Sequence, residues 1–192
     1  MRLIGLSASL TKGGRTRLAL EAALAGATTR FPDIDAELID ARDYRVSLCD
    51  GRPLDQYPDD TGRLVSALGA GDGYLFASPV YRGSYTGALK NLLDHTPVEA
   101  LQNKPIGVIA VAATDHHYLV IDQELRPLLA WFGAVVLPVG VYVKSGHFQG
   151  ETLVDGQVRN HLRELGEAVV IFEQWLRDGR AGPPPLAAWA HG

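Results

Sequence analysis

The amino-acid sequence predicts a single α/β domain, with five parallel strands in the spatial order 2-1-3-4-5 and helices on both faces of the sheet. Three observations carry this. Short apolar runs alternate with segments of helical period, as in chained strand–helix–strand units. The runs are apolar nearly throughout, as strands covered on both faces require. Five such runs favour this order over the six-strand dinucleotide-binding arrangement.

The elements follow in order. Residues 2–6 read as a buried first strand, and 16–27 as a helix with Leu18, Ala22 and Leu24 or Ala25 on one face. Residues 36–39 form a short second strand ending at Asp40, and a loop rich in Asp, Gly and Pro runs over 41–60. Helices are expected at 61–70, 84–95 and 119–132, and strands at 73–77, 106–112 and 134–143. A long helix spans 158–177. Residues 1–178 make one domain, and 179–192, with Pro183, Pro184 and Pro185, form an extended tail that is mobile at its end.

Composition narrows the function. Lys and Arg number 18 against 22 Asp and Glu, a net charge of −4 with no basic block, so nucleic acid and anionic membranes are poor partners. No apolar run reaches the roughly 18 residues of a membrane span. The first seven residues lack a signal peptide's long apolar stretch and read as a strand. Cys49 is the single cysteine, which excludes a disulfide framework and a cysteine-based zinc site. A cytoplasmic, soluble protein is expected.

The loop after the first strand, residues 7–16, brings together hydroxyls, two glycines and two cations where helix-start N–H groups point outward. A phosphate monoester needs such donors together with the positive end of a helix dipole. Ser9, Thr11, Gly14, Arg15 and Thr16 are the candidates. The plainer alternative is a capped loop in which Ser9 or Thr16 satisfies helix N–H groups. The loop fits neither G-x-x-x-x-G-K-[ST] nor G-x-G-x-x-G, which disfavours nucleoside triphosphates and the usual dinucleotide mode. Asp40 reads as a turn former rather than a ribose ligand.

The loop after the third strand is the most informative. Pro79 stiffens the strand exit, Tyr81 offers a flat ring, Gly83 and Gly87 allow close backbone approach, and Ser84 or Thr86 caps the next helix. A flat heterocycle with several acceptors suits this platform. The stretch S-P-V-Y-x-x-S-Y-T-G-A-L-K-N-L-L-D, residues 78–94, resembles the signature of the NAD(P)H-dependent FMN reductases. That family lies within the flavodoxin-like superfamily, and the closest motifs are those of the alkanesulfonate-metabolism reductases. The resemblance runs from Met1 to about Val143.

The resemblance implies bound FMN and a nicotinamide donor, NADPH or NADH. It sets Pro79, Val80, Tyr81 and Arg82 against the isoalloxazine, with Gly83 and Ser84 at its polar edge or at the nicotinamide entrance. In the family's first loop, roughly G-S-x-R-x-x-S-x-[NST], Ser9 and Thr16 match. Thr11 stands where arginine is usual and Gly14 where serine is usual; Arg15 and Lys12 are positioned to supply the displaced charge.

The loop after the fourth strand, residues 112–118, faces the same crevice, because strands one, three and four are neighbours in this order. Ala112 and Ala113 replace the family's glycine pair. Backbone N–H groups of Ala113, Thr114 and Asp115, at an expected helix start, are placed to hold charge on a reduced flavin. His117 matches a histidine of the sulfonate-type relatives. The helix that follows resembles their L-x-x-D-x-x-L-[KR]-P at Leu119, Asp122, Leu125, Arg126 and Pro127, with Gln123 in place of an aromatic. Pro127 predicts a kink or bulge. His116 and His117 point about 100° apart on a helix and have no third ligand by spacing, which disfavours a metal.

The expected activity is hydride transfer from nicotinamide to flavin, with reduced FMN supplied to a flavin-dependent monooxygenase or used while bound. Two alternatives stay open: an FMN-containing quinone or azo reductase, and a flavodoxin-type electron carrier, which usually has stronger acidity. Leu119, Leu125, Leu128, Leu129 and Phe132, with the loop near Tyr57, are expected to pack a homodimer or homotetramer.

Overall fold

The computed structural model describes residues 1–12, 14–177, 179 and 182. Strands β1 (Arg2–Ser7), β2 (Asp35–Asp40), β3 (Gly73–Pro79) and β4 (Pro105–Ala112) pair in parallel in the order β2-β1-β3-β4. This is the flavodoxin-like arrangement. In register, Ser7 lies opposite Asp40 on one side and Ala77 on the other, so the carboxyl ends of these strands share one edge of the sheet.

The fifth strand departs from expectation. It is two pieces, β5 (Val135–Val136) and β6 (Val141–Lys144), both paired with β4. Leu137, Pro138, Val139 and Gly140 interrupt it. Pro138 has no N–H for a ladder, and the Arg126 guanidinium takes up the freed carbonyls of Leu137 at 2.7 Å and Pro138 at 3.0 Å. A hairpin that the sequence reading missed, β7 (Phe148–Gln149) with β8 (Thr152–Leu153), follows and turns at Gly150, φ +59°.

Helices α2 (Thr61–Gly69), α3 (Gly87–His95) and α4 (Arg126–Ala130) cover one face, against Ile4, Leu6, Phe76, Val108 and their neighbours. Helices α1 (Arg15–Arg30) and α5 (Gly156–Leu176) cover the other, against Leu3, Leu75, Ile109 and Val143. The buried face of α1 is Ala19, Leu20, Ala23, Leu24 and Ala27; of the expected stripe Leu24 belongs to it, while Leu18 and Ala22 are half-buried at its margin and Ala25 is exposed. Its alanines and leucines are spread without a segregated stripe, so its period does not choose a face; the crossing with α5 does. There Gly26 and Gly166 let the backbones touch: a Cβ on Gly166 would lie 2.0 Å from the Ala23 carbonyl oxygen.

The expected helix over 119–132 is a π-helical turn, Ile121–Leu125, running into α4. The Arg126 N–H reaches back five residues to the Ile121 carbonyl, one residue before Pro127, where a bulge was expected. Among the described residues no helix is long and apolar enough to cross a membrane. The expected tail over 179–192 lies outside the described residues apart from Gly179 and Gly182.

Candidate functional site

The first loop is held from below. The Ala8 N–H donates to the Ala77 carbonyl at 2.8 Å, and the Thr86 hydroxyl donates to the Ala8 carbonyl at 2.9 Å. Neither Ser9 nor Thr16 caps α1. Gly14 occupies the cap position without a side-chain bond, while the Ser9 hydroxyl accepts the Thr11 N–H at 3.3 Å. The N–H groups of Arg15 and Thr16, the first two of the helix, have no partner among the described residues, as helix starts leave them. A Cβ on Gly14 would sit 3.2 Å from the Thr11 carbonyl oxygen and 3.3 Å from the Ser9 hydroxyl, so the loop curls tightly around that position. Gly13 lies outside the described residues.

The third loop begins as a tight turn. Tyr81 and Ser84 exchange backbone bonds at 2.9 and 3.2 Å around Arg82 (φ 54°) and Gly83 (φ 83°), the double left-handed geometry of a two-residue hairpin turn. Helix α3 therefore starts at Gly87 rather than Ser84. Thr86 is its cap, accepting the Leu89 N–H at 3.2 Å, and the buried Ser78 hydroxyl accepts the Thr86 N–H at 3.0 Å. The Val80 N–H donates to the Val111 carbonyl at 2.8 Å, which joins this loop to the end of β4.

The second half of the signature serves another purpose. The Asn91 amide donates to the Ser47 carbonyl and accepts the Cys49 N–H, both at 2.9 Å. The His95 ring lies 2.9 Å from the same Ser47 carbonyl and packs edge-on against Tyr57. These residues pin the 41–60 loop. Within it, Asp59 accepts the Thr61 N–H at 3.0 Å and the Ser47 hydroxyl at 2.7 Å, with the Thr61 hydroxyl as its strongest partner. These bonds hold its carboxyl down to about 2. Asp40 forms a turn, as expected, accepting the Arg42 N–H and pairing with Arg17 and Arg42.

The fourth loop does not open a helix at Ala113–Asp115. Residues 113–119 are exposed turns and the first helical residue is Val120, so any N–H donation there comes from turn geometry and not from a helix dipole. The loop is braced by the Tyr142 phenol, which donates to the Thr114 carbonyl at 2.7 Å, and by Lys144, paired with Asp115 at 2.9 Å. The Ser84 hydroxyl donates to the Glu124 carboxylate at 2.9 Å.

The three loops enclose an open cleft of about 500 Å³ at the carboxyl edge of the sheet. Its lining includes Ser9, Thr11, Lys12, Gly14, Arg15 and Thr16 from the first loop, Pro79, Val80 and Tyr81 from the third, and Ala113 from the fourth. Ala112, already placed in the fourth loop, lines it too, with Val111, Ser145 and Gly150; sequence reasoning missed these last three, Ser145 and Gly150 because the short turn after β6 and the β7–β8 hairpin were not foreseen. Arg82, Gly83, Ser84, Thr114, Asp115 and His117 are not in this lining. Thr114 and Asp115 border a groove with Lys144 that shares Ala113, and His117 packs beside Gly83. Among the described residues no Asp or Glu lines the cleft, whereas Lys12 and Arg15 do. A second groove, of about 470 Å³, lies between Leu137–Val141 and α5, away from the strand ends where such sheets bind ligands.

Comparison with known proteins agrees with this geometry. Residues 1–149 match the family model of NADPH-dependent FMN reductases. A Geobacillus thermodenitrificans NAD(P)H-dependent FAD/FMN reductase is 38% identical over 93% of this chain and 97% of its own. The apo structure of the NADH:FMN oxidoreductase EmoB superposes with a TM-score of 0.73 at 26% identity, covering 95% of this chain and 91% of its own. An archaeal flavodoxin, 13% identical with a TM-score of 0.65 over 91% of this chain and 99% of its own, shares the fold alone. The fold, the three converging loops and these matches together assign the chain to the NADPH-dependent FMN reductase family.

Proposed function

We propose that this protein binds FMN in the three-loop cleft and reduces it with NADPH or NADH. The observation that carries the proposal is the charge of the cleft. In a chain of net charge −4, its lining among the described residues holds two cations and no carboxylate, the opposite of the whole protein and what a phosphate requires. The residues fit the cofactor. At one end, hydroxyls and helix-start N–H groups without a partner among the described residues curl around Gly14; at the other, Pro79, Val80 and Tyr81 lie beside Val111, Ala112 and Ala113 along the strand ends as an apolar surface for a flat ring system.

Bound FMN would supply the redox chemistry, accepting hydride from the nicotinamide. The protein's part is then to bind, orient and exclude water. Arg15, Lys12, Ser9, Thr11 and Thr16 would hold the phosphate, with Gly14 giving it room. Tyr81, 55% exposed at the cleft mouth, would lie against the ring beside Pro79 and Val80. Arg82, Gly83 and Ser84 would shape the nicotinamide entrance, and Thr114, Asp115 and His117 the pyrimidine edge beyond Ala113. The family model names NADPH and EmoB names NADH, so either dinucleotide is a candidate donor.

The proposal extends to partners. Reduced FMN would pass to a flavin-dependent monooxygenase, and the lone Cys49 fits a reducing, cytoplasmic compartment. A homodimer or homotetramer would wall the open side of the cleft. Leu125, Leu129 and Phe132 are buried on their own sheet, which removes most of the apolar surface expected for this contact. Exposed Tyr118, Leu119 and Trp131 support association instead, and light scattering giving a multiple of 20.7 kDa would test it.

Flavin fluorescence titration tests the binding mode. FMN should bind at least tenfold more tightly than riboflavin, about 1.4 kcal/mol, and FAD more weakly than FMN. Equal affinity for riboflavin would remove the phosphate loop from the account.

A further inference from the structure

Arg15 is held in an unusual way for this chain. Most of its arginines pair with a carboxylate, but Arg15 has none among the described residues. Its Nη1 instead crosses the cleft to the hydroxyl of Ser145 at 2.8 Å, and its guanidinium lies over the ring of Phe148, 5.7 Å from the centroid. Ser145 follows β6, and its hydroxyl lies 3.5 Å from the carbonyl of Ala112 at the end of β4. Phe148 opens the β7–β8 hairpin and is 7% exposed, so its ring is a fixed surface.

We infer that Ser145 and Phe148 are positioning residues that aim Arg15 at the phosphate of FMN. The inference rests on the FMN reading of the cleft. Serine presents a neutral acceptor and phenylalanine a π face, so both restrain the guanidinium without neutralising it. A carboxylate in either place would compete with the phosphate for the same charge. One N–H is engaged by Ser145, leaving the rest of the planar fork for a phosphate, which guanidinium groups bind in two-point fashion. Thr11 stands where the first-loop pattern ordinarily has arginine, and this clasp gives the chain a cation from a different position, secured from across the cleft by segments beyond the fourth strand.

The test is fluorescence titration of purified flavin-free protein with FMN and with riboflavin, in wild type, Ser145→Ala, Ser145→Thr and Phe148→Leu. Ser145→Ala and Phe148→Leu should each weaken FMN by roughly three- to tenfold and leave riboflavin within twofold, lowering the FMN preference. Ser145→Thr keeps the hydroxyl and should restore it. In an Arg15→Met background, Ser145→Ala should cause no further loss of FMN, because the serine acts only through that guanidinium.

Equal weakening of both flavins would make Ser145 and Phe148 general supports of the hairpin and overturn the inference. So would an unchanged FMN preference in Ser145→Ala, or a full additional loss in the Arg15→Met background. A wild type that shows no FMN preference over riboflavin would overturn the FMN reading itself and this inference with it. A wild-type preference that survives Ser145→Ala overturns the inference alone.

Discussion

Thr86→Val tests whether the first and third loops are built as one unit. Thr86 is 5% exposed, and its hydroxyl makes two bonds: it accepts the Leu89 N–H as the cap of α3 and donates to the Ala8 carbonyl under the first loop. Valine has nearly the same shape, so no cavity opens and the loss is that of the hydroxyl. Removing an N-cap costs about 1 kcal/mol. Leaving the acceptor of Ala8, a residue 1% exposed, without its partner adds about 1–3 kcal/mol. The expected destabilisation is about 2–4 kcal/mol in urea unfolding followed by tryptophan fluorescence. Thr86→Ser keeps both bonds and loses one methyl, so it should cost about 1 kcal/mol or less. FMN affinity should fall in Thr86→Val and hold in Thr86→Ser. Thr86→Val within about 0.5 kcal/mol of wild type, or no worse than Thr86→Ser, would refute the reasoning.

Further outcomes follow from the same structure. Gly166→Ala puts a methyl against the Ala23 carbonyl oxygen and should lose about 3 kcal/mol or more, while Gly69→Ala, with nothing within 4 Å, should be neutral or slightly stabilising in the same urea assay. The Asp59 carboxyl is depressed from 3.8 to about 2, so its contribution is full above the unfolded value and is lost as pH falls through the folded one. Between pH 4 and 2 the melting temperature of wild type should therefore drop more steeply than that of Asp59→Asn, and parallel curves would remove Asp59 from the loop's anchoring. Tyr81→Ala should weaken flavin binding roughly three- to tenfold, whereas Cys49→Ser, which keeps a donor toward the Asp94 carbonyl at 3.4 Å, should bind as wild type.

The parts of this fold that the sequence made legible are those where one local signal had one solution. Continuous apolar runs such as 106–112 fit doubly covered strands, and their count favoured the sheet order that the fold shows. The first and third loops were legible because glycine, proline, hydroxyls and an aromatic met at strand ends. Three things were hidden for physical reasons. Helix α1 spaces its apolar residues without a clear helical stripe, so its contact with α5 through Gly26 and Gly166 selects the buried face. The fifth strand reads as continuous, and its break is matched by the Arg126 guanidinium, on the preceding helix, donating to the carbonyls that leave the ladder. Ser145 enters the cleft from a single helical turn after β6, and Gly150 from a hairpin with two-residue strands, both too short to leave a periodic trace. The second half of the signature has no role in the sequence reading: Tyr81 lies at the cleft mouth, while Asn91, and His95 just beyond the signature, hold the 41–60 loop.

The central claim is tested most directly by anaerobic stopped-flow mixing of the flavin-free protein with NADPH, and separately NADH, in the presence and absence of FMN. The account predicts loss of the flavin absorbance near 450 nm at a rate that saturates with dinucleotide, at least tenfold faster with FMN than with riboflavin at equal subsaturating concentration, about 1.4 kcal/mol of discrimination by the phosphate. Wild-type protein that binds FMN tightly yet leaves it oxidised in the presence of either dinucleotide would contradict the account and leave an electron carrier in its place.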